Sequence, residues 1–223
     1  MRITREQTCA LLVDVQERLF PHMFERSTLE RNLPILLRGL RILDIPLLVT
    51  QQYTKGLGST IPLLRDTLGW NGDERTADSS NRADKTAAAG TDAGKPYVGK
   101  PYVGKPYVGK PFIEKIAFSC WGEPEFRKAL KALGRKRVLL AGIEAHICVL
   151  QTAIDLKQAG YTPVVIEDCT SCRRENDRRT ALRRLHAEGI LISSYESILF
   201  ELMQEAGTEI FRAISRLVTG QGQ

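Results

Sequence analysis

Asp14, Lys115 and Cys148 each fall at or just beyond the end of an apolar run. In an open α/β sheet, ligands bind outside the carboxyl ends of the strands, near the point where strand order reverses. A thiol, a carboxylate and an ammonium gathered there would make a cysteine nucleophile with its own base. Cys148 lies in AGIEAHICV (141–149), a stretch that turns from strand into helix. Unpaired N–H groups and the helix dipole at such a place favour thiolate, and a neighbouring Lys115 would lower the thiol further. Asp14 would then serve as base or proton carrier. Spacing alone does not assemble these groups. An Asp after a strand is often a cap or an ion-pair partner, and a buried Cys is often a small hydrophobe.

Other reactive residues have competing readings. His146 stands two residues before Cys148, and in a tight turn such a residue points elsewhere. Cys169 and Cys172 form a Cys-x-x-Cys between a strand and a helix, a placement that suits a thiol-redox pair. No second pair supports zinc, and the flanks lack the aromatic and proline residues of thioredoxin-like motifs, so a structural role competes. Asp168 reads as a cap of the following helix or a tie for the loop. His22, His146 and His186 are too scattered for a metal site, and neither metal nor other cofactor is expected. Gln16, Phe20, Gln52, Tyr53, Phe118 and Trp121 lie near the three reactive residues in sequence and are candidates for lining a pocket. Core packing accounts equally well for Phe118, and the two glutamines could instead fix loops.

The elements that must position these groups alternate between strand and helix. Thr8–Val13, 45–50, 112–116, 137–141, 162–166 and 190–193 read as strands, mostly continuous in apolar residues. Helical spacing runs through Leu33, Leu36, Leu37, Leu40 and Leu43, with Pro34 near the first turn or at a kink. Further helices are expected at 123–133, 147–158, Glu175–Ala187, 197–204 and 209–218. Such alternation implies a parallel sheet with right-handed crossovers, covered on both faces.

One domain of 1–223 is the expectation for this length, interrupted at about 71–110. There a polar stretch without period leads into three copies of KPYVG and then KPFIE. Proline at every fifth place favours an extended chain, and loops accept insertions at small entropic cost. The alternative is an arm that packs on a neighbouring subunit. The formal net charge is +6. The excess is local: lysines in the repeats, and arginines at 173–184 interleaved with Glu175 and Asp177 as on a solvated helix face. No aromatic-rich nucleic-acid signature accompanies them. No apolar run is long enough to cross a bilayer, and the first residues lack a signal-peptide pattern. With an odd count of five cysteines, the expectation is a cytoplasmic protein with reduced thiols, binding neither nucleic acid nor membrane.

LLVDVQERLF (11–20), IEKIAFSCW (113–121) and AGIEAHICVLQTAIDLKQAGY (141–161) resemble the isochorismatase-like cysteine hydrolases. VTQQYTKGLGSTIPLL (49–64) and EDCTSCRRENDRRTALRRL (167–185) are similar to the branch of isochorismatase-domain-containing proteins. The resemblance covers nearly the whole chain outside 71–110. It implies a Rossmann-like, three-layer α/β/α fold with a six-stranded parallel sheet. It also implies a triad: Cys148 as nucleophile, Asp14 as general base, and Lys115 steadying the thiolate and orienting Asp14. A cis peptide at Ile143–Glu144, with the N–H groups of Glu144 and Cys148 as oxyanion hole, follows from the same resemblance. So does a homo-oligomer, for which 209–218 is a plausible contact. Relatives that hydrolyse nicotinamide carry an Asp-x-His metal site after the second strand, where this chain has TQQYTKGLG. Relatives that cleave isochorismate usually lack the cysteine. The expectation is therefore a metal-independent hydrolase of a small-molecule amide (C–N) or related acyl substrate, through a thioester. The rivals are a catalytically weak scaffold of the same fold and a redox protein using Cys169 and Cys172.

Overall fold

The computed structural model describes residues 2–70 and 111–220. The insertion expected at about 71–110 lies outside the described residues. β1 (Thr8–Val13) is buried along its whole length, as a strand covered on both faces must be. It belongs to one parallel sheet with β2 (Leu47–Gln52), β3 (Ile113–Lys115), β4 (Arg137–Ile143), β5 (Thr162–Ser171) and β6 (Leu191–Ser193). The strand order is β3-β2-β1-β4-β5-β6. Side chains along β1 divide between two cores, Ala10 and Leu12 facing one, Cys9, Leu11 and Val13 the other. α1 (Arg26–Ile42), α3 (Pro62–Leu68), α7 (Tyr195–Met203) and α8 (Glu209–Thr219) close the first core. α4 (Pro124–Leu133), α5 (Leu150–Gln158) and α6 (Glu175–Ala187) close the second. The three-layer, six-stranded parallel fold expected from the sequence is the fold observed.

Strand order reverses between β1 and β4, which pair from Thr8↔Arg137 to Val13↔Gly142. At the upper end of that ladder the two backbones nearly touch. A Cβ on Gly142 would stand 2.1 Å from the Val13 carbonyl oxygen and 2.7 Å from its nitrogen, and φ there is +119°. Only glycine fits such an approach. The contact draws the end of β1 against the turn that follows β4.

Several boundaries depart from expectation. β2 continues two residues beyond Thr50, because Thr50, Gln51 and Gln52 pair in register with Ile113, Glu114 and Lys115. The parallel ladder outweighs the polar character of those residues. β4 and β5 also run past their expected ends, β5 to Ser171 through a register shift opposite Leu140 and Gly142. The helix expected at 147–158 begins instead as a π turn, Ala145–Val149, before α5 proper. Pro34 lies inside α1 and is buried, away from the first turn. A one-turn helix, α2 (Thr54–Leu57), and α3 follow β2 without a sequence period long enough to announce them.

Candidate active site

Asp14 leaves β1 with φ of +50°, a left-handed conformation that aspartate tolerates. It is buried at the reversal of strand order. Thr50 of β2 donates to its Oδ1 at 2.8 Å. Because that hydroxyl proton is committed, Cys120, whose Sγ is 3.7 Å from Thr50 Oγ1, is the donor in the next link. A buried chain thus runs from Cys120 S–H through Thr50 to Asp14. The Asp14 Oδ2 atom lies 2.7 Å from Lys115 Nζ as an ion pair, and the Cys148 thiol is a further hydrogen-bonding neighbour of the carboxylate.

Lys115 ends β3 with 1% of its surface exposed. Besides Asp14, its ammonium reaches Gln52 Oε1 at 2.7 Å and the carbonyls of Ala117 at 3.1 Å and Phe118 at 3.0 Å. An ammonium carries three N–H bonds, and four acceptors surround this one. Gln52 is the joint of the cluster. Its Nε2 donates to the Ile116 carbonyl at 2.9 Å. Its Oε1 accepts from Lys115 and from the Cys148 thiol, the latter at 3.3 Å.

Cys148 is carried by the π turn, and such turns often mark functional sites. The Ile143–Glu144 peptide just before it is cis. Within the turn, the Glu144 carbonyl accepts from Ile147 and Val149. The Glu144 carboxylate faces away, holding Arg173 through its backbone N–H at 3.2 Å and its Nε at 3.0 Å.

The electrostatics differ from the expected thiolate. Burial and then the Asp14 carboxylate push the Cys148 thiol well above its ordinary range, and Lys115 offsets only part of this. Burial likewise raises Asp14 against the opposing pull of Lys115. For Lys115, burial lowers its proton affinity, but Asp14, Cys120 and Cys148 raise it and prevail. Burial pushes Cys120 up to about 11, which keeps it a donor. One ammonium can balance one anion. Asp14 holds that place, so the resting cluster is carboxylate, ammonium and neutral thiol.

The remaining candidates divide. Gln52 belongs to the cluster. Tyr53, 51% exposed, and Phe118, 54% exposed, stand at the strand ends beside it. Gln16 is wholly engaged in the framework: its Nε2 donates to the carbonyls of Gln52 and Gly58, and its Oε1 accepts from the Gln52 N–H. Phe20 is a core residue under α1. Trp121 packs edge-on against Tyr161, 5.7 Å between centroids, at the amino end of β5 and away from the strand ends that carry the cluster.

The Cys-x-x-Cys is not a thiol pair. Both thiols are free and buried, Cys169 in the core under α1 and Cys172 in a separate cluster with Ala145 and Ala181. Burial pushes Cys172 up to about 11 and Cys169 well above the ordinary thiol range. Cys172 instead receives the N–H groups of His146 and Ala145, and His146 Nδ1 lies 3.1 Å from its sulfur. His146 therefore faces Cys172 rather than Cys148. Asp168 accepts the Tyr195 N–H at 2.9 Å, tying β5 to α7 rather than capping α6. The sequence reading missed Thr50 and Ile116. The signal for Thr50 was a polar residue closing an apolar run; in the sheet it pairs with Val13, the neighbour of Asp14.

The isochorismatase domain family model matches residues 8–197. The chain is similar to isochorismatase domain-containing protein 2 of Danio rerio, 30% identical over 218 residues, covering 97% of this chain and 89% of that protein. Among solved structures, MAR1 ribonuclease from Caenorhabditis elegans has a TM-score of 0.75 at 26% identity, covering 100% of this chain and 95% of that one. The YcaC gene product of Escherichia coli, described as an octameric hydrolase of unknown specificity, has a TM-score of 0.75 at 19% identity. It covers 98% of this chain and 90% of that one, a likeness of fold.

Proposed function

The chain belongs to the isochorismatase family, a family of hydrolases, and from that premise we propose that it is a cysteine hydrolase of small-molecule amides or related acyl compounds. One observation carries this reading: a carboxylate that follows β1, an ammonium that ends β3 and a thiol from the π turn after β4 meet in one hydrogen-bonded cluster. The Cys148 sulfur attacks the substrate carbonyl carbon as its proton passes to Asp14 Oδ2. The carbonyl π electrons move onto oxygen, which the N–H groups of Glu144 and Cys148 receive. Collapse breaks the C–N bond, and Asp14 returns the proton to the departing nitrogen. Asp14 then takes a proton from water, which attacks the thioester; the acid leaves and the proton goes back to sulfur.

In this scheme the raised thiol is no obstacle. Free thiolate need not accumulate when the base is in contact with the nucleophile, and burial raises the proton affinity of that base too. No metal enters the reading, because 53–59 after β2 offers neither Asp nor His. A homo-oligomer is part of it, as an octamer is described for YcaC.

The test is ammonia release from a panel of primary carboxamides, with hydroxylamine added to intercept a thioester as hydroxamate. Release that yields hydroxamate and falls at least about 1,000-fold in Cys148→Ala is the expected result. Release undiminished in that variant would overturn the scheme, and no release at all would favour the scaffold reading.

A further inference from the structure

Among the described residues, the polar groups that surround Cys148 leave no free cation to hold a charged substrate. The Lys115 ammonium is saturated by four acceptors and nearly sealed from solvent. Gln52 spends its carbonyl on Lys115 and Cys148 and its amide on Ile116. With Asp14 ionised, the cluster is electrically neutral. An incoming carboxylate would lose its water and gain no counter-charge, which disfavours an unpaired ion.

The rim has the opposite character. Three large apolar side chains stand exposed there: Tyr53 at 51%, Ile116 at 69% and Phe118 at 54%. Each is one hydrogen bond from the cluster through its own backbone. The Tyr53 N–H donates to the Lys115 carbonyl at 3.0 Å, the Ile116 carbonyl accepts from Gln52, and the Phe118 carbonyl accepts from Lys115. Among the described residues, Lys55 on α2 and Glu114 on β3 stand exposed beside them with opposite sign, and Arg18 is tied to the same edge, its Nη1 donating to the Gly56 carbonyl at 2.8 Å. Glu114 accepts the Thr54 N–H at 3.0 Å, which fixes a carboxylate at the same edge.

We propose that the site selects neutral acyl compounds with an apolar body, which lies on Tyr53, Ile116 and Phe118, and rejects those whose acyl body carries a carboxylate. This rests on the reading of Cys148 as acyl acceptor. Recognition is then apolar contact plus one polar anchor, the carbonyl oxygen.

The experiment compares 4-nitrophenyl hexanoate with mono-4-nitrophenyl adipate, whose acyl chains match in length while the second ends in a carboxylate. Nitrophenolate release gives kcat/KM, and peptide mass locates the adduct. Acylation of Cys148 by the hexanoate is expected to be about 100-fold faster. In the double variant Ile116→Ser, Phe118→Ser, the hexanoate rate is expected to drop about tenfold, narrowing the gap between the two esters. Equal rates, or faster adipate, overturn the proposal; an adipate preference abolished by salt or by Lys55→Ala would assign recognition to Lys55. A hexanoate rate untouched by the serine substitutions would mean that the rim is unused or covered by a second copy, which also overturns it. Acylation by either ester at a residue other than Cys148, or at none, removes the reading on which the proposal rests, so the two failures are distinguishable.

Discussion

Replacing Asp14 with asparagine is expected to lower amide turnover about 1,000-fold, within the usual span for loss of a general base, while making Cys148 easier to ionise. The two effects run in opposite directions because the cluster holds one cation and two acids. In the native protein Asp14 is the anion that balances Lys115, and its charge is the second cause, after burial, of the raised thiol. Asparagine keeps the shape and can still accept from Thr50, but it leaves Lys115 without a counter-charge. The thiolate of Cys148 then becomes the natural partner of the ammonium across Gln52. Iodoacetamide labelling followed against pH should therefore show a lower midpoint for Asp14→Asn than for the native chain. Peptide mass should assign the label to Cys148. A midpoint that stays or rises would mean that Asp14 does not control the thiol.

Lys115→Met is expected to reduce folding stability by about 3–5 kcal/mol at neutral pH, the range for breaking a buried ion pair from one side. The loss is pH-dependent, and its sign follows from Asp14. That carboxyl is already raised by burial with Lys115 opposing, and methionine removes the opposition. A group whose folded-state affinity for protons is raised contributes its stability below its unfolded pKa, near 3.8, and loses it as pH climbs through the folded value. The variant should thus approach the native chain near pH 4 and fall away from it towards pH 8. Urea unfolding at both ends of that window measures this; a deficit independent of pH would mean that the loss comes from packing rather than charge.

The fold was legible because its strands are continuous apolar runs separated by helical periods. Asp14 and Lys115 were also legible, since a charged residue closing such a run stands out. What escaped depended on contacts far apart in the chain. Gln52 becomes the joint of the cluster only because β2 extends to pair with β3. The thiol ends up neutral rather than ionised because burial and Asp14 together outweigh one lysine, a balance that no spacing reveals. Cys169 and Cys172 look like a pair in the sequence, yet the irregular extension of β5 sends them to different clusters. Trp121 is near Lys115 along the chain, but the turn at Cys120–Gly122 carries its ring towards Tyr161.

Among the described residues, β3 is three residues long, lies at the edge of the sheet and pairs only with β2. The cation of the cluster therefore hangs on one of the most lightly anchored strands, whereas Asp14 follows a central one. Proteins open in parts, and short edge elements open at lower free energy than the centre. Detachment of β3 withdraws Lys115 and two of its carbonyl acceptors, those of Ala117 and Phe118, while β1, β4 and β5 remain paired. The working lifetime of the catalyst is then set by a local opening rather than by global unfolding. Partial denaturation should erase activity before it erases the fold.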